Sequence, residues 1–504
     1  MLRNIGSNWV ISVLNIVLVL FLTRFLIFEL GEEAYGVWLV IAALTSYLEL
    51  LRGGLPAATV RYLSEAVGAK DSARVDSVVA SATSLYAMMS FVAAIVGCLL
   101  LLVFHWKYDV PDAMQPSATA AFVIAMLTMS FGFIAHLPTA VMEANDDFIT
   151  KNIVRLVGLF FKGSLTVGLL WWRADVMMVA LAVAGVTTVE LVLGAYLART
   201  RYHARLVWGA RSPEVVGGLF RYSAYVLLLA VGFRLSFQSD ALVIGARGDL
   251  DDVAVYSVAN SLLLYLSEFV AAVAVVVMPL AAKLREQGEE EALRELLLTS
   301  SKTSITVALL IGGYLLWMGP AFLAWWLHPE FAAEAARSLR ILTVSFFVLL
   351  PVTGAAVPVL MGVGNVAIPA LAYLLMGIVN VGVSVALVPS MGIEGAAWGT
   401  AVPNVVFAVF VLVFTCRATG TSVSRYVSYV FVRPLIGYVL PGAGLAWAAL
   451  VLGAEGLFGL VTTGIAYVLC FAMSWLLWTY RNDGLQDWRE TRIGRLILRF
   501  YRRS

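Results

Sequence analysis

One feature narrows what this chain can become more than any other. Apolar runs of about twenty residues or more follow one another almost from end to end, near 9–28, 36–64, 78–104, 118–142, 152–172, 176–198, 219–245, 253–281, 303–326, 339–361, 366–388, 393–416, 430–452 and 457–480. A helix needs roughly 20 such residues to cross a bilayer, and an isolated chain in lipid satisfies its backbone only as helix or closed barrel. Only 13% of the residues are charged, against about 25% in soluble domains. The chain is therefore expected to be an all-α polytopic membrane protein of about 14 transmembrane helices. The first run is too long for the apolar region of a cleavable signal peptide, so it reads as helix 1. The cysteines Cys98, Cys416 and Cys470 all lie in apolar runs with no metal-ligand spacing and read as packing residues.

Basic residues then orient the spans. With the N-terminus in the cytoplasm, 25 Lys and Arg fall in the loops and tails on that side and five on the other. Both ends of the chain are thus expected in the cytoplasm of a bacterial inner membrane. The final stretch, WRETRIGRLILRFYRRS, is basic with apolar residues spaced through it. It suits either the anionic inner leaflet or a positive-inside stop signal.

The long basic junction after helix 6 suggests two halves: a six-helix bundle over 1–210 and a second over 211–420. Helices 13 and 14 would follow in 421–480, and the basic tail in 481–504. Weak echoes support this. GEEAYGVW before helix 2 resembles DDVAVYSV before helix 8, and LPTAVMEAND resembles VPVLMGVGNV at the ends of helices 4 and 10. An even number of helices per repeat gives both halves one orientation, and transporters of that kind bind substrate between them.

Four cations stand inside apolar runs: Arg24, Arg52, Lys162 and Arg234. A central Arg or Lys costs at least about 2.5–3.5 kcal/mol to insert, so each needs a wet cavity or an anionic partner. In helix 2, Thr45, Glu49, Arg52, Pro56 and Thr59 recur at helical spacing as one polar stripe; Asn152, Arg155, Lys162 and Thr166 do the same in helix 5. Helix 1 carries Asn8, Ser12 and Asn15 on a face turned away from Arg24. Glu49 can neutralise Arg52 at i,i+3, and Arg234 can pair with Asp240 or Glu268; the three acids are also candidates for ion coupling. Gly53, Gly54 and Pro56 beside Arg52 read either as a loosened, discontinuous helix or as a close helix contact.

The chain resembles the multidrug/oligosaccharidyl-lipid/polysaccharide exporter superfamily, and within it the polysaccharide flippases. The resemblance is carried by LGEEAYGVW, LRGGLPAATVRYLSEA, FQSDALVIGARGDLDDVAVYSVA and above all NVGVSVALVPSMGIEGAAWGTAVPN. It implies a V-shaped transporter with alternating access. The cargo would be an undecaprenyl-diphosphate-linked oligosaccharide, and Arg24, Arg52, Lys162 and Arg234 would meet its anionic head. Expected partners are that lipid-linked glycan, membrane lipids and the polysaccharide polymerase machinery, with no nucleic acid. No Walker pattern, metal set or cofactor motif is evident, so neither a cofactor nor an enzymatic activity is expected. The rival reading is a cation-coupled multidrug exporter of the same superfamily, against which four buried basic residues count. A membrane glycosyltransferase or polymerase would need a larger outer loop than the one near 105–117.

Overall fold

The computed structural model describes residues 2–202, 227–452 and 456–480, together with 483 and 485; residues 2–13, 57, 272 and 452 are described by backbone alone. The 210/211 boundary, the start of expected helix 7 and the rest of the basic tail lie outside the described residues. Every regular element among them is helical. The first are α1 (Leu2–Leu30), α2 (Glu32–Ser46) with a tight 3₁₀ extension (Tyr47–Arg52), α3 (Leu55–Gly68), α4 (Ser72–Lys107), α5 (Gln115–Ala144), α6 (Phe148–Trp172) and α7 (Val176–Tyr202). Then come α8 (Leu227–Phe237), α9 (Ser239–Arg247), α10 (Leu250–Glu286), α11 (Glu290–Trp326) and α12 (Pro329–Pro351). The last are α13 (Val357–Gly362), α14 (Ala367–Met391), α15 (Ile393–Thr419), α16 (Val423–Tyr426), α17 (Arg433–Trp447) and α18 (Gly456–Ser474).

Twelve of the described helices are long and apolar enough to cross a membrane, and α8 with α9, bent by 40°, makes a thirteenth. The sequence led us to expect fourteen; the remaining expected span coincides with the 29-residue α1. The chain divides into two compact units, residues 1–257 and 258–504. In the first, α5 packs against α4 and α7, α6 against α7, and α1 against α6. In the second, α11, α12, α14 and α15 form the packed centre, and α17 and α18 pair with each other and with α11.

Helix 2 is not the continuous helix that its polar stripe assumed. After Arg52 the chain turns through Gly53 (φ 49°, ψ −136°), a backbone region that side-chain-bearing residues avoid. Pro56 then sits in the first turn of α3, where its missing N–H costs nothing. The glycines therefore break the helix. Thr45 lies before the break and Thr59 after it, and both are buried with their hydroxyls turned back to backbone carbonyls of their own segments. They belong to two short helices rather than to one stripe.

The most specific stretch of the sequence folds into a hairpin with a single-residue turn. Gly392 (φ 57°) ends α14 and begins α15. A Cβ on Gly395 would lie 2.6 Å from the Leu387 carbonyl, and one on Gly399 would lie 2.0 Å from Ser384 Oγ. Asn380 Nδ2 donates across the pair to Thr400 Oγ1 at 2.8 Å, and Asn404 Nδ2 reaches Ser345 Oγ on α12 at 3.1 Å. Small residues let the helices touch, and amides bind them where water is absent. Gly399→Leu is expected to destabilise the protein by about 1–3 kcal/mol, read as a lower unfolding temperature of the detergent-purified protein.

Candidate functional site

Lipid favours apolar side chains, so charged groups inside the spans mark where chemistry is placed. In the first unit they form two separate groups, each built on an interrupted or closely packed helix.

The first group sits at the break between α8 and α9. Gln238 ends α8, its backbone N–H donating to the Arg234 carbonyl at 2.9 Å. The Arg234 guanidinium forms an ion pair with Glu49, from the 3₁₀ extension of α2, and donates from Nη1 to Gln238 Oε1 at 2.6 Å. Ser46 Oγ donates to the same Gln238 oxygen at 2.8 Å. The Arg234 side chain keeps 15% of its surface exposed and Glu49 keeps 35%. The pair is thus not fully enclosed by protein. Asp240, two residues past the break, is 1% exposed and accepts from the Tyr256 hydroxyl at 2.6 Å. Arg52, half-buried at the end of the 3₁₀ turn, stands within electrostatic range of His136 and Tyr86.

The second group lies among α1, α6 and α7. Lys162, just past the middle of α6, borders a cavity of about 390 Å³ with Arg155, Glu190, Asn15, Thr187 and Gly158. Arg155 is two helical turns from Lys162, on the same face. Glu190 stands near the middle of α7 and acts electrostatically on both cations. Gly158 makes this possible: a Cβ there would lie 2.2 Å from Glu190 Oε1. Among the described residues, no ion pair of 4 Å or closer joins Glu190 to either cation. The three charges face one another across open space.

The other site residues read from the sequence fall elsewhere. Arg24 is half-buried on α1 with its guanidinium 5.4 Å from the Phe28 ring centroid, one turn on. Glu268 lies on α10 in the second unit and is exposed. Side chains of Asn8 and Ser12 lie outside the described residues.

Two charged residues that matter here escaped the sequence reading. Glu190 was passed over, although an acid in the middle of VTTVELVLG is itself the signal. Lys302 was counted with the loop cations, but it lies inside α11 and is completely buried. Its ammonium pairs with Asp483, whose carboxylate also accepts from Tyr429 at 2.8 Å and from the Leu485 N–H at 3.0 Å. Lys302 Nζ donates to the Thr479 carbonyl at 2.9 Å and faces the Tyr429 and Tyr480 rings at 4.7 and 4.5 Å. An ammonium so completely enclosed, between a carboxylate, a carbonyl and two rings, is out of a ligand's reach, so this cluster is structural.

A third polar knot joins the ends of α6 and α7. Asp147 caps α6 through the Thr150 N–H at 2.9 Å and also accepts from Tyr202 at 2.5 Å and Arg201 at 3.3 Å. Burial alone would raise its pKa. The hydrogen bonds from Thr150 and Tyr202 and the Arg201 charge outweigh that and bring it down to about 2. The knot is charged at every physiological pH and serves as a fixed tie.

Solved structures share this arrangement of helices. The lipid II flippase MurJ, in an inward closed conformation, matches with a TM-score of 0.70 at 12% identity, over 96% of this chain and 99% of that one. An inward-facing multidrug resistance MATE family transporter of the MOP superfamily matches with a TM-score of 0.68 at 15% identity, over 81% of this chain and 94% of that one. The fold is therefore the one these multi-pass membrane proteins share. More narrowly, the chain belongs to the polysaccharide biosynthesis protein family, whose profile matches residues 1–285. It is also 22% identical, over 93% of its length and 94% of the relative's, to the uncharacterized membrane protein EpsK of Bacillus subtilis (strain 168).

Proposed function

We propose that this protein is an alternating-access flippase. It carries an undecaprenyl-diphosphate-linked oligosaccharide from the cytoplasmic to the periplasmic leaflet of a bacterial inner membrane, for surface polysaccharide synthesis. Both ends of the chain lie in the cytoplasm, and polymerase machinery takes the product. The observation that carries this reading is the set of cations at membrane depth in the first unit. Arg234 keeps an exposed edge beside Glu49, and Lys162 and Arg155 border an open cavity. Such groups hold phosphate or carboxylate through charge-assisted hydrogen bonds. Membership of the polysaccharide biosynthesis family supports a glycan as cargo. Outward movement of an anion is assisted by the membrane potential, by about 2.3 kcal/mol per charge per 100 mV.

The test is transport by the purified protein in proteoliposomes, with a fluorescent undecaprenyl-diphosphate glycan and, separately, an organic cation. Wild-type protein is expected to move the glycan and not the cation. Arg52→Ala and Arg234→Ala are each expected to cut the rate at least tenfold while reaching the bilayer in normal amount. Transport of the cation alone would instead establish the multidrug exporter. Full activity of both variants would remove Arg52 and Arg234 from the binding site.

A further inference from the structure

We infer that the cavity among α1, α6 and α7 is a subsite for an acidic sugar, a hexuronate or similar hydroxylated carboxylate, within the glycan head. The inference rests on the flippase reading above and adds the chemistry of one part of the cargo.

Charge is the first argument. Arg155, Lys162 and Glu190 leave the lining with one net positive charge. In lipid, where each uncompensated charge costs several kcal/mol, that balance is completed by a monoanion. A diphosphate carries more than one negative charge. It would overshoot the balance and meet the Glu190 carboxylate head on. A sugar carboxylate matches it, and Arg155 offers a planar fork for that group.

The second argument is the remaining chemistry of the wall. Glu190 accepts hydrogen bonds from hydroxyls. Asn15 both donates and accepts, and so does Thr187. A ring bearing several hydroxyl groups uses all of these; a bare phosphate uses none of the acceptors. The volume of about 390 Å³ lies near the lower end of small-molecule sites, about 300–1,000 Å³. It holds a sugar ring with its bridging waters.

The third argument is that the charges do not close on one another. Glu49 and Arg234 in the same unit collapse into direct contact, as do Lys151 and Glu143 at 2.6 Å. Lys162 and Glu190 remain apart, and the Glu190 carboxylate lies over Gly158, where a Cβ would come within 2.2 Å of it. A gap kept open between opposite charges in the middle of a membrane leaves room for something polar.

The experiment uses the full chain in lipid nanodiscs, titrated calorimetrically with sodium glucuronate, glucose and pyrophosphate. Glucuronate is expected to bind at least tenfold more tightly than glucose, and Lys162→Ala is expected to abolish that binding. Glu190→Gln, which keeps size and shape, raises the net charge of the wall. It is expected to shift preference at least tenfold from glucuronate toward pyrophosphate. A structural role for Glu190 would not reverse selectivity in this way. Wild-type preference for pyrophosphate, or equal affinity for glucose and glucuronate, overturns the inference. A second arm compares flipping of undecaprenyl-diphosphate glycans that differ only in glucose or glucuronate. Faster flipping of the glucuronate form is expected. Equal rates for both overturn the subsite and leave the flippase reading standing. Flipping of neither, with glucuronate still bound at Lys162, overturns the flippase reading and leaves the subsite chemistry in place.

Discussion

Lys302→Met should leave almost no folded protein in the membrane, whereas removing its partners as well should restore most of it. Lys302 and Asp483 are both fully shielded from solvent. Breaking a buried pair by deleting one member costs about 3–5 kcal/mol, because the other charge is left without compensation. That is a large share of a typical folding stability of about 5–15 kcal/mol. Replacing both members by apolar residues is often neutral, since neither desolvation cost remains. The triple variant Lys302→Met, Asp483→Leu, Tyr429→Phe also removes the hydroxyl that would lose its acceptor. Yield and unfolding temperature of the detergent-solubilised proteins decide the matter: wild-type values for Lys302→Met alone would show that the pair holds nothing. The carboxylate's share of that stability should change only at acid pH. Burial would raise the Asp483 carboxyl, but the hydrogen bonds from Lys302, Leu485 and Tyr429 and the Lys302 charge bring it below its ordinary value. Stabilisation from a depressed carboxyl is complete above the unfolded value of about 3.9 and is lost only as pH falls through the lower folded one.

Gly36→Ala should be the most damaging single-methyl change in the first unit. An added Cβ would lie 1.9 Å from the Leu250 carbonyl oxygen and 2.8 Å from its carbon. Those are backbone atoms at the head of α10, so no side-chain rotation relieves the clash, and α2 must move. Overpacking usually costs about 1–3 kcal/mol, occasionally more. This contact belongs above that range because its obstacle cannot rotate. A nearby contact is close but less so: a Cβ on Gly245 would meet the Val40 side chain at 2.9 Å. Gly382→Ala is the control, since nothing lies within 4 Å of its Cβ position on α14. It should be neutral or slightly stabilising, as Ala exceeds Gly in helix propensity by about 1 kcal/mol. Equal unfolding temperatures for the two variants would contradict this account.

The helices were legible because lipid imposes one rule on every span, and the rule is written in composition. The break at Gly53 was legible as one of two readings, because paired glycines next to a proline mark either a turn or a close contact. Pairings across helices were not. Glu49 had Arg52 three residues away and instead meets Arg234, 185 residues distant. Lys302 lies 181 residues from its acid and so looked like one more loop cation. Spacing along one helix tells which groups share a face; it is silent on what that face meets. GEEAYGVW and the stretch before helix 8 were read as echoes of each other. In the structure Gly36 of the first abuts Leu250, the residue just ahead of the second, which accounts physically for a small residue in that place.

The two units bend their spans by different means. In the first, the chain stops and restarts, at Gly53 and at Gln238. In the second, four wide π turns, at Val352–Ala356, Val427–Val432, Ala448–Leu452 and Trp475–Thr479, fit an extra residue into a helix that continues; among the described residues the first unit has none. A stopped helix strands amide and carbonyl groups that must be met by polar side chains or water. A swollen one keeps its ladder closed. In the first unit hydrophilic character therefore gathers where the backbone is severed, beside Arg52, Arg234 and Gln238; in the second, the buried Lys302 ammonium meets the carbonyl of Thr479, the last residue of a swollen turn.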